Sequence, residues 1–257
     1  MTLEIVPGTL QNPDPMVKSF APYSPAIGVT GYTDRWRPAL DFADASAGYQ
    51  VLSYPSPLDP VNVLVSDTVA PPEIIDDRGV RLLNCATLGD TSALTDSNRK
   101  FNTDAAFLVV WKETAGGSVP HGILTAAGLR FGRASAGWSM SKLSGTPGAT
   151  LTISHDIAAG GVTIGAKMYA AIVLIPADGT QDVSLTLIGA GQSPVTKKAV
   201  VARGGSLEEN RRFRIGKDSG NNADNGPLYA ELVVWDRLLT ADEITVIASY
   251  AASTYNL

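Results

Sequence analysis

The sequence predicts an all-β fold, in which two antiparallel sheets pack face to face as a jelly-roll sandwich and one α-helix follows at the C-terminal end. Three observations predict this fold. Short runs rich in β-branched and aromatic residues recur along the chain. Turn-forming residues separate those runs, with 25 glycines and 16 prolines among 257 residues. Helical spacing of apolar residues is concentrated in the last part of the chain.

The first 35 residues differ from the rest because they carry five prolines and no helical periodicity. These prolines are Pro7, Pro13, Pro15, Pro22 and Pro25. Since proline fixes φ and lacks a backbone N–H, the segment is predicted to be extended and to form few ladder hydrogen bonds. We therefore divide the chain into an extended Pro-rich N-terminal arm, residues 1–35, and a β-sandwich with its C-terminal helix, residues 36–257.

Short segments of residue types typical of β-strands recur throughout residues 36–257. Seven short apolar segments are bounded by Gly, Pro, Ser, Asn or Asp, as is typical of strands and their turns. The predicted strands are 50–54, 61–65, 105–111, 170–175, 183–188, 212–216 and 228–235. The chain shows no fixed-period repeat, so a sandwich is favoured over a repeat architecture.

Two of these predicted strands, 105–111 and 170–175, are apolar on both faces. In the first, Phe107 and Val109 face one way and Leu108 faces the other. A strand that is apolar on both faces requires cover on both sides. The opposing sheet covers one side, and the C-terminal helix, the N-terminal arm or another subunit is expected to cover the other.

The helix is predicted over about 241–254. Thr240 and Glu243 fit a capping box, in which the threonine hydroxyl accepts from the Glu243 amide and the glutamate reaches back to the amide of Thr240. Ile244 and Ile247 then follow with helical spacing.

Composition excludes several classes of function. The formal net charge is −5 and the isoelectric point about 5.0, which disfavours wrapping of nucleic acid. The single cysteine, Cys85, has no partner for an intrachain disulfide. No apolar run approaches the length of a membrane span, and residues 1–11 lack the basic and apolar regions of a signal peptide. We therefore expect synthesis in a cytoplasm without export by the usual route and without membrane insertion.

The strand-to-helix junction carries a family resemblance. Residues 228–244 read Leu-Tyr-Ala-Glu-Leu-Val-Val-Trp-Asp-Arg-Leu-Leu-Thr-Ala-Asp-Glu-Ile. This segment resembles the closing segment of the concanavalin A-like lectin/glucanase superfamily, in its laminin G-like branch. Thr103–Lys112, Phe131–Met140 and Arg214–Gly216 look like earlier strands of the same family. The resemblance covers about residues 40–257 and implies the jelly-roll sandwich.

The resemblance also implies a range of functions, because such folds carry many different sites. The family often binds glycans, many of its sites use Ca²⁺, some members are glycosidases or lyases, and such modules occur in phage tail and capsid-decorating proteins. Together with the Pro-rich arm, it leads us to expect a non-enzymatic structural or adhesion component of a phage-like virion, made in the host cytoplasm.

In that hypothesis the arm docks to neighbouring subunits, either other virion proteins or further copies of this chain. The lectin-like sandwich faces outward and contacts host-surface glycans. The alternatives are a free-standing carbohydrate-binding module and, less favoured, a polysaccharide-degrading enzyme.

A glycosidase requires two carboxylates across a cleft. The seven glutamates do not form the Glu-x-Asp-x-x-Glu motif of the glucanase branch. The best single candidate is Glu231, with Asp236 five residues later, but odd spacing places these two side chains on opposite faces of a strand. We therefore predict no catalytic residues and expect Glu231 to pair with a nearby arginine.

The loop Lys217–Gly226 is the segment most typical of a ligand site. Its hard oxygen donors suit Ca²⁺. These donors are Asp218, Asn221, Asn222, Asp224 and Asn225. Ala223 breaks the register of a calcium-loop motif, and the same residue types also form turns for conformational reasons alone. Calcium is therefore a possible cofactor, and no other cofactor is predicted.

A second candidate ligand site combines basic and aromatic residues. Arg212 and Arg214 share one face of a predicted strand, where they suit an acidic glycan, a phosphate or an acidic partner. The alternative is a solvated face balanced by nearby glutamates. Trp36 and Tyr54 are candidates for stacking on sugar rings, whereas Trp111, Trp138 and Trp235 are predicted to lie in the core.

The two histidines, His121 and His155, lack the context of a zinc site, so structural roles are favoured for both. Spacing leaves open a Ser/His/Asp triad assembled only in space, although no nucleophile elbow is present.

Overall fold

A computed structural model of the chain describes ten stretches of residues. These are 27–66, 71–85, 94–113, 121–134, 137–142, 150–153, 167–189, 192–203, 212–216 and 227–257. In chain order the elements are β1 Asp34–Trp36, α1 Pro38–Asp41, β2 Tyr49–Gln50, β3 Ser53–Pro55, β4 Val63–Ser66, β5 Glu73–Asp77, β6 Val80–Asn84, β7 Leu94–Lys100, β8 Ala105–Lys112, β9 His121–Ala126, β10 Leu129–Ala134, β11 Gly137–Lys142, β12 Leu151–Ile153, β13 Met168–Ile175, β14 Val183–Gly189, β15 Gln192–Ala199, β16 Arg212–Ile215, β17 Leu228–Trp235 and α2 Ala241–Tyr255.

The strands form two antiparallel sheets. Sheet A has nine strands, in the order β15-β14-β13-β8-β17-β6-β5-β2, with β1 also pairing with β17. Sheet B has eight strands, in the order β12-β11-β10-β9-β16-β7-β4-β3. The predicted all-β sandwich with a C-terminal helix is confirmed.

The main core lies between the two sheets. Phe107, Val109 and Trp111 of β8 reach it from sheet A, and Phe131 and Phe213 reach it from sheet B. Rings from the two sheets pack directly on one another, as in the stacked pair of Phe107 and Phe213 with centroids 5.8 Å apart. The predicted core positions of the three tryptophans are also confirmed, since Trp111, Trp138 and Trp235 are all buried.

A second core lies on the other face of sheet A. Leu108 of β8 and Ile172 of β13 point into it, and Ile247 of α2 packs against this face from the helix side. Ile27 and Val29, from the segment predicted as the arm, belong to the same cluster. The predicted second cover is therefore confirmed, and α2 and the end of the arm supply it together.

Two sequence expectations differ from the structure in detail. The predicted strand 50–54 is two strands, because β2 pairs with β5 in sheet A whereas β3 pairs with β4 in sheet B. The chain changes sheets between them, with Val51 buried and Leu52 exposed. The predicted arm boundary after residue 35 falls inside β1, and residues 1–26 of the arm lie outside the described residues.

The start of α2 has the predicted capping box. The Glu243 amide donates to Thr240 Oγ1 at 3.3 Å, and the Thr240 amide donates to Glu243 Oε2 at 2.9 Å. Arg237, in the turn before the helix, donates to both oxygens of the same carboxylate at 2.8 and 2.6 Å. The hydrogen bond from Arg237, followed by that from the Thr240 amide, lowers the pKa of Glu243 to about 2.

We expect this capping charge to contribute to stability in a pH-dependent way. Because the pKa of Glu243 is lower in the folded chain than its ordinary value of 4.5, its contribution is complete above about pH 5 and is lost as the pH falls towards 2. Glu243→Gln retains the capping geometry and removes the charge. Melting curves should show the variant less stable than the unaltered chain at pH 7, with the difference shrinking between pH 4.5 and 2. A difference that is independent of pH would contradict this assignment.

Candidate ligand surface

The strongest catalytic candidate, Glu231, is engaged in a buried network. Arg35 Nε donates to Glu231 Oε1 at 2.6 Å, and both side chains are fully buried. The hydroxyls of Tyr250 and Tyr255 each donate to Glu231 Oε2 at 2.8 Å. Arg35 Nη2 also donates to the Tyr250 hydroxyl at 2.8 Å. The expected pairing of Glu231 with a nearby arginine is confirmed.

A β-bulge in β17 places Glu231 on the helix side of sheet A. Tyr229 lies opposite Trp111 and Glu231 lies opposite Val110, so Ala230 is the extra residue. In a regular strand, Glu231 would share the face of Tyr229, which is inside the main core. The bulge therefore moves the carboxylate to the side on which Arg35 and α2 meet it.

Electrostatics keep Arg35 and the two tyrosines of this network protonated. Burial opposes the charge of Arg35, but the adjacent Glu231 carboxylate outweighs it and raises the pKa of the guanidinium. Burial, and then the same carboxylate, raises the pKa of the Tyr250 and Tyr255 hydroxyls. Both tyrosines therefore stay protonated and remain donors.

Asp236, the second carboxylate considered for catalysis, lies elsewhere. Its Oδ1 accepts from Arg99 Nη2 at 2.7 Å, and Arg99 also pairs with the buried Asp34. Glu231 and Asp236 thus have different arginine partners and do not form a pair across a cleft.

The two aromatic candidates for sugar stacking are buried. Trp36 and Tyr54 are 1% and 2% exposed. The Trp36 ring stacks on Phe213 with centroids 6.0 Å apart, and Trp36 Nε1 donates to the Tyr54 carbonyl at 3.1 Å. The expectation that these rings contact a sugar is corrected, because neither has a face open to a ligand.

The basic candidates lie on β16, in the middle of sheet B. Phe213 and Ile215 point into the main core, so Arg214 projects from the outer face of the sheet. Arg214 is half-buried, and the Arg212 side chain lies outside the described residues.

Arg214 belongs to a row of residues in register across four strands. Ser141 of β11 lies opposite Arg130 of β10, Arg130 lies opposite Thr125 of β9, and Thr125 lies opposite Arg214. We call these four residues the arginine row. Their chain neighbours on β9, β10 and β16 point into the main core, so the row lies on the outer face of sheet B.

A tight turn sets the register of this row. Ala127 and Gly128 both have positive φ, at 51° and 76°, and connect β9 to β10 as a two-residue hairpin turn. Gly128 adopts this conformation without steric cost. The turn places Thr125 directly opposite Arg130.

Two hydroxyl groups of the row are enclosed without hydrogen bonds. Thr125 is 4% exposed, and its Oγ1 has no hydrogen-bond partner among the described residues. Ser141 Oγ is also buried and has no hydrogen-bond partner among the described residues. A buried hydroxyl without a partner costs about 1–3 kcal/mol. Each of these hydroxyls adjoins Arg130 across the sheet.

Of the arginine row, Arg214 is predicted from the sequence, whereas Arg130, Thr125 and Ser141 are not. The segment Leu129-Arg130-Phe131 does show the apolar–polar–apolar pattern of a strand with one outward residue. Cross-strand register was the missing information, because these residues are far apart in the sequence.

Several of the remaining candidates lie outside the described residues. They are the whole predicted calcium loop, Lys217–Gly226, and His155. Cys85 is buried, which raises the pKa of its thiol. In the described stretches, no group of three or more His, Cys, Asp and Glu residues could hold a metal ion. The described helices include none that is long and apolar enough to cross a membrane.

This chain is similar to known proteins in its fold alone. No protein-family model and no curated protein matches this chain. Among solved structures, the binding domain of Paraclostridial Mosquitocidal Protein 1 is similar over 80% of this chain and 51% of its own, with a TM-score of 0.51 and 9% identity. Trypanosoma rangeli sialidase in complex with sialic acid is similar over 88% of this chain and 34% of its own, with a TM-score of 0.50 and 14% identity.

This chain therefore spans about half the length of the first structure and about a third of the second. At these identities the similarity concerns the fold, which is an all-β sandwich compatible with a jelly-roll, lectin-like domain. Fold similarity of this kind does not specify a ligand or an activity.

Proposed function

We propose that this chain is a non-enzymatic structural and adhesion component of a phage-like virion. Its sandwich binds glycans of the host surface, and its N-terminal arm docks to neighbouring subunits. The observation that carries the glycan-binding part is the arginine row, which places two half-buried arginines, Arg130 and Arg214, on the outer face of sheet B.

One similar structure supports a binding role for a sandwich of this shape, because it is named as the binding domain of a mosquitocidal protein.

The buried network supports a non-enzymatic role. A catalytic carboxylate must reach a substrate, whereas both oxygens of Glu231 accept hydrogen bonds from buried or half-buried side chains. Asp236 is held by Arg99 elsewhere on the molecule.

The attachment of the arm supports a docking role. Ile27 and Val29 are anchored in the second core, and β1 extends sheet A along β17. The Pro-rich residues before Ile27 thus join the sandwich at a firmly packed point. A proline-rich extended segment suits docking onto another subunit, since little conformational entropy is lost on binding.

Two measurements test this proposal. We expect the purified chain to bind a subset of bacterial surface polysaccharides on an array, and we expect an antibody against it to label purified virions. Glycan binding without virion association would favour the free-standing carbohydrate-binding module. Absence of binding to any saccharide would overturn the glycan-binding part, and release of reducing ends from a bound polysaccharide would overturn the non-enzymatic part.

A further inference from the structure

We infer that the N-terminal arm of a second copy of this chain docks on an exposed valine stripe near the edge of sheet B. The stripe consists of the side chains of Val61, Val63 and Val65, along the hairpin formed by β3 and β4. This inference rests on the proposed docking role of the arm, and it names both the partner and the surface.

The stripe is an apolar row on the outer face of sheet B. Leu64 of β4 is fully buried in the main core, so Val63 and Val65, on either side of it, face outward. Val61, in the turn before β4, is 79% exposed, and Val65 is 48% exposed.

Side-chain hydrogen bonds hold the turn that carries Val61. The Val61 amide donates to Asp59 Oδ1 at 3.1 Å. Next to it, Asn62 Nδ2 donates to Oδ1 of the buried Asp34, in β1, at 3.1 Å. The stripe is therefore already formed on the sandwich, and binding has to order only the partner.

Exposed apolar side chains are concentrated on this hairpin. Eight large apolar side chains are exposed in the described stretches, and four of them lie on the hairpin or directly before it, namely Leu52, Leu58, Val61 and Val65. Scattered single residues are ordinary, whereas a patch indicates a contact surface. At about 100 Å² for a whole aliphatic side chain, the four offer at most roughly 400 Å². Each partner in a standard interface between folded proteins contributes about 800 Å², so this patch suits a short extended segment instead.

The first residues of the arm match the stripe. In an extended chain, alternate side chains share a face and lie about 6.7 Å apart. Leu3 and Ile5 therefore share one face of an extended segment, with the same spacing as successive valines of the stripe. Two apolar side chains at this spacing fit the two gaps between three valines.

The reach of the arm favours a second copy. Ile27 and Val29 anchor the arm on the helix side of sheet A, whereas the stripe lies on the outer face of sheet B. Ile5 precedes Ile27 by 22 residues, which span about 70 Å when extended. A folded chain of this length has a diameter of about 45 Å, so the arm reaches past its own sandwich. Its prolines favour an extended path over one that turns back around the domain.

Disulfide trapping between two copies tests this inference. One full-length chain carries Ile5→Cys, a second with a different tag carries Val61→Cys, and the two are mixed and oxidised. We expect a covalent dimer that contains both tags. In the control, Val200→Cys replaces Val61→Cys, since Val200 is 46% exposed and directly follows β15 of sheet A. The control should give at least about tenfold less mixed dimer, because no docking raises the local thiol concentration.

The natural cysteine does not compete in this experiment. Cys85 is buried, and burial raises the pKa of its thiol, so little reactive thiolate is present at neutral pH.

Charge substitutions measure the affinity of docking. Sedimentation equilibrium of the full chain should show self-association. Val61→Asp and Ile5→Asp should each weaken it about tenfold or more, because each places an unpaired charge in an apolar contact. Val200→Asp is the matched control and should self-associate like the unaltered chain. Val61 and Val200 are both exposed, so neither substitution should lower the melting temperature.

The outcomes separate this inference from the proposed function. A chain that stays monomeric, or self-association that survives Val61→Asp, would overturn the inference and leave docking of the arm to another virion protein in place. In a chain with both cysteine substitutions, a disulfide within the chain but none between chains would also overturn it, because the arm would then cover its own stripe. Absence of the chain from purified virions would overturn the proposed virion role, whether or not the arm docks on a second copy.

Discussion

Replacing Glu231 with glutamine is expected to lower the free energy of unfolding by about 3–5 kcal/mol, because the change removes the carboxylate charge that faces the buried guanidinium of Arg35. Both side chains are fully buried, and the carboxylate accepts from Arg35, Tyr250 and Tyr255. Those partners come from β1 and α2, so the substitution weakens the junction at which the end of the arm, sheet A and the helix meet. Denaturant unfolding at pH 7 measures the loss.

Two further variants make the test of Glu231 specific. Glu73→Gln is the matched control, since Glu73 is half-buried and accepts from Asn84 Nδ2 at 3.2 Å, and a change below about 1 kcal/mol is expected. The double variant Arg35→Met with Glu231→Leu removes both charges and is expected to recover most of the stability. A single Glu231→Gln variant as stable as the unaltered chain would show that the pair does not hold the junction together.

Replacing Ile247 with alanine is expected to cost about 2–5 kcal/mol, because Ile247 is fully buried between α2 and the outer face of sheet A. Its removal leaves a cavity against the face that carries Leu108 and Ile172. Neighbouring Val246 is 43% exposed, so Val246→Ala is the control, with an expected loss below about 1 kcal/mol. Thermal and denaturant unfolding measure both. Equal losses in the two variants would contradict the role of α2 as the cover of this face.

Much of the fold follows from local pattern. The strand 228–235 was predicted with its observed bounds, and the capping box at Thr240 and Glu243 was predicted with its partners. These features depend on residues within one turn or one strand of each other. The two-faced apolar pattern of β8 also predicted that sheet A needs cover on both sides, because burial of both faces follows from composition alone.

The split of the segment 50–54 between two sheets was not predicted. Its residues have strand composition throughout, and nothing local indicates that β2 pairs with β5 while β3 pairs with β4. Pairing partners are chosen by contacts distant in sequence, so composition cannot assign a residue to one sheet or the other.

The candidate ligand surface was likewise predicted only in part from the sequence. Arg214 was predicted to point outward because Phe213 and Ile215 alternate with it, and the structure agrees. Trp36 and Tyr54 were expected at a ligand surface, but aromatic rings serve a core and a sugar site equally well, and only packing distinguishes the two uses.

Composition and short spacing suffice to predict the all-β class, the capped helix, the two-sided burial of sheet A and the lack of a recognisable catalytic motif. Which residues meet across the sheets depends instead on long-range packing. It placed Glu231 beside Arg35 through a bulge in β17, and it aligned Arg130, Thr125 and Arg214 through the register of three strands. The physical reason is that register and burial arise from the simultaneous packing of distant segments, which no local pattern encodes.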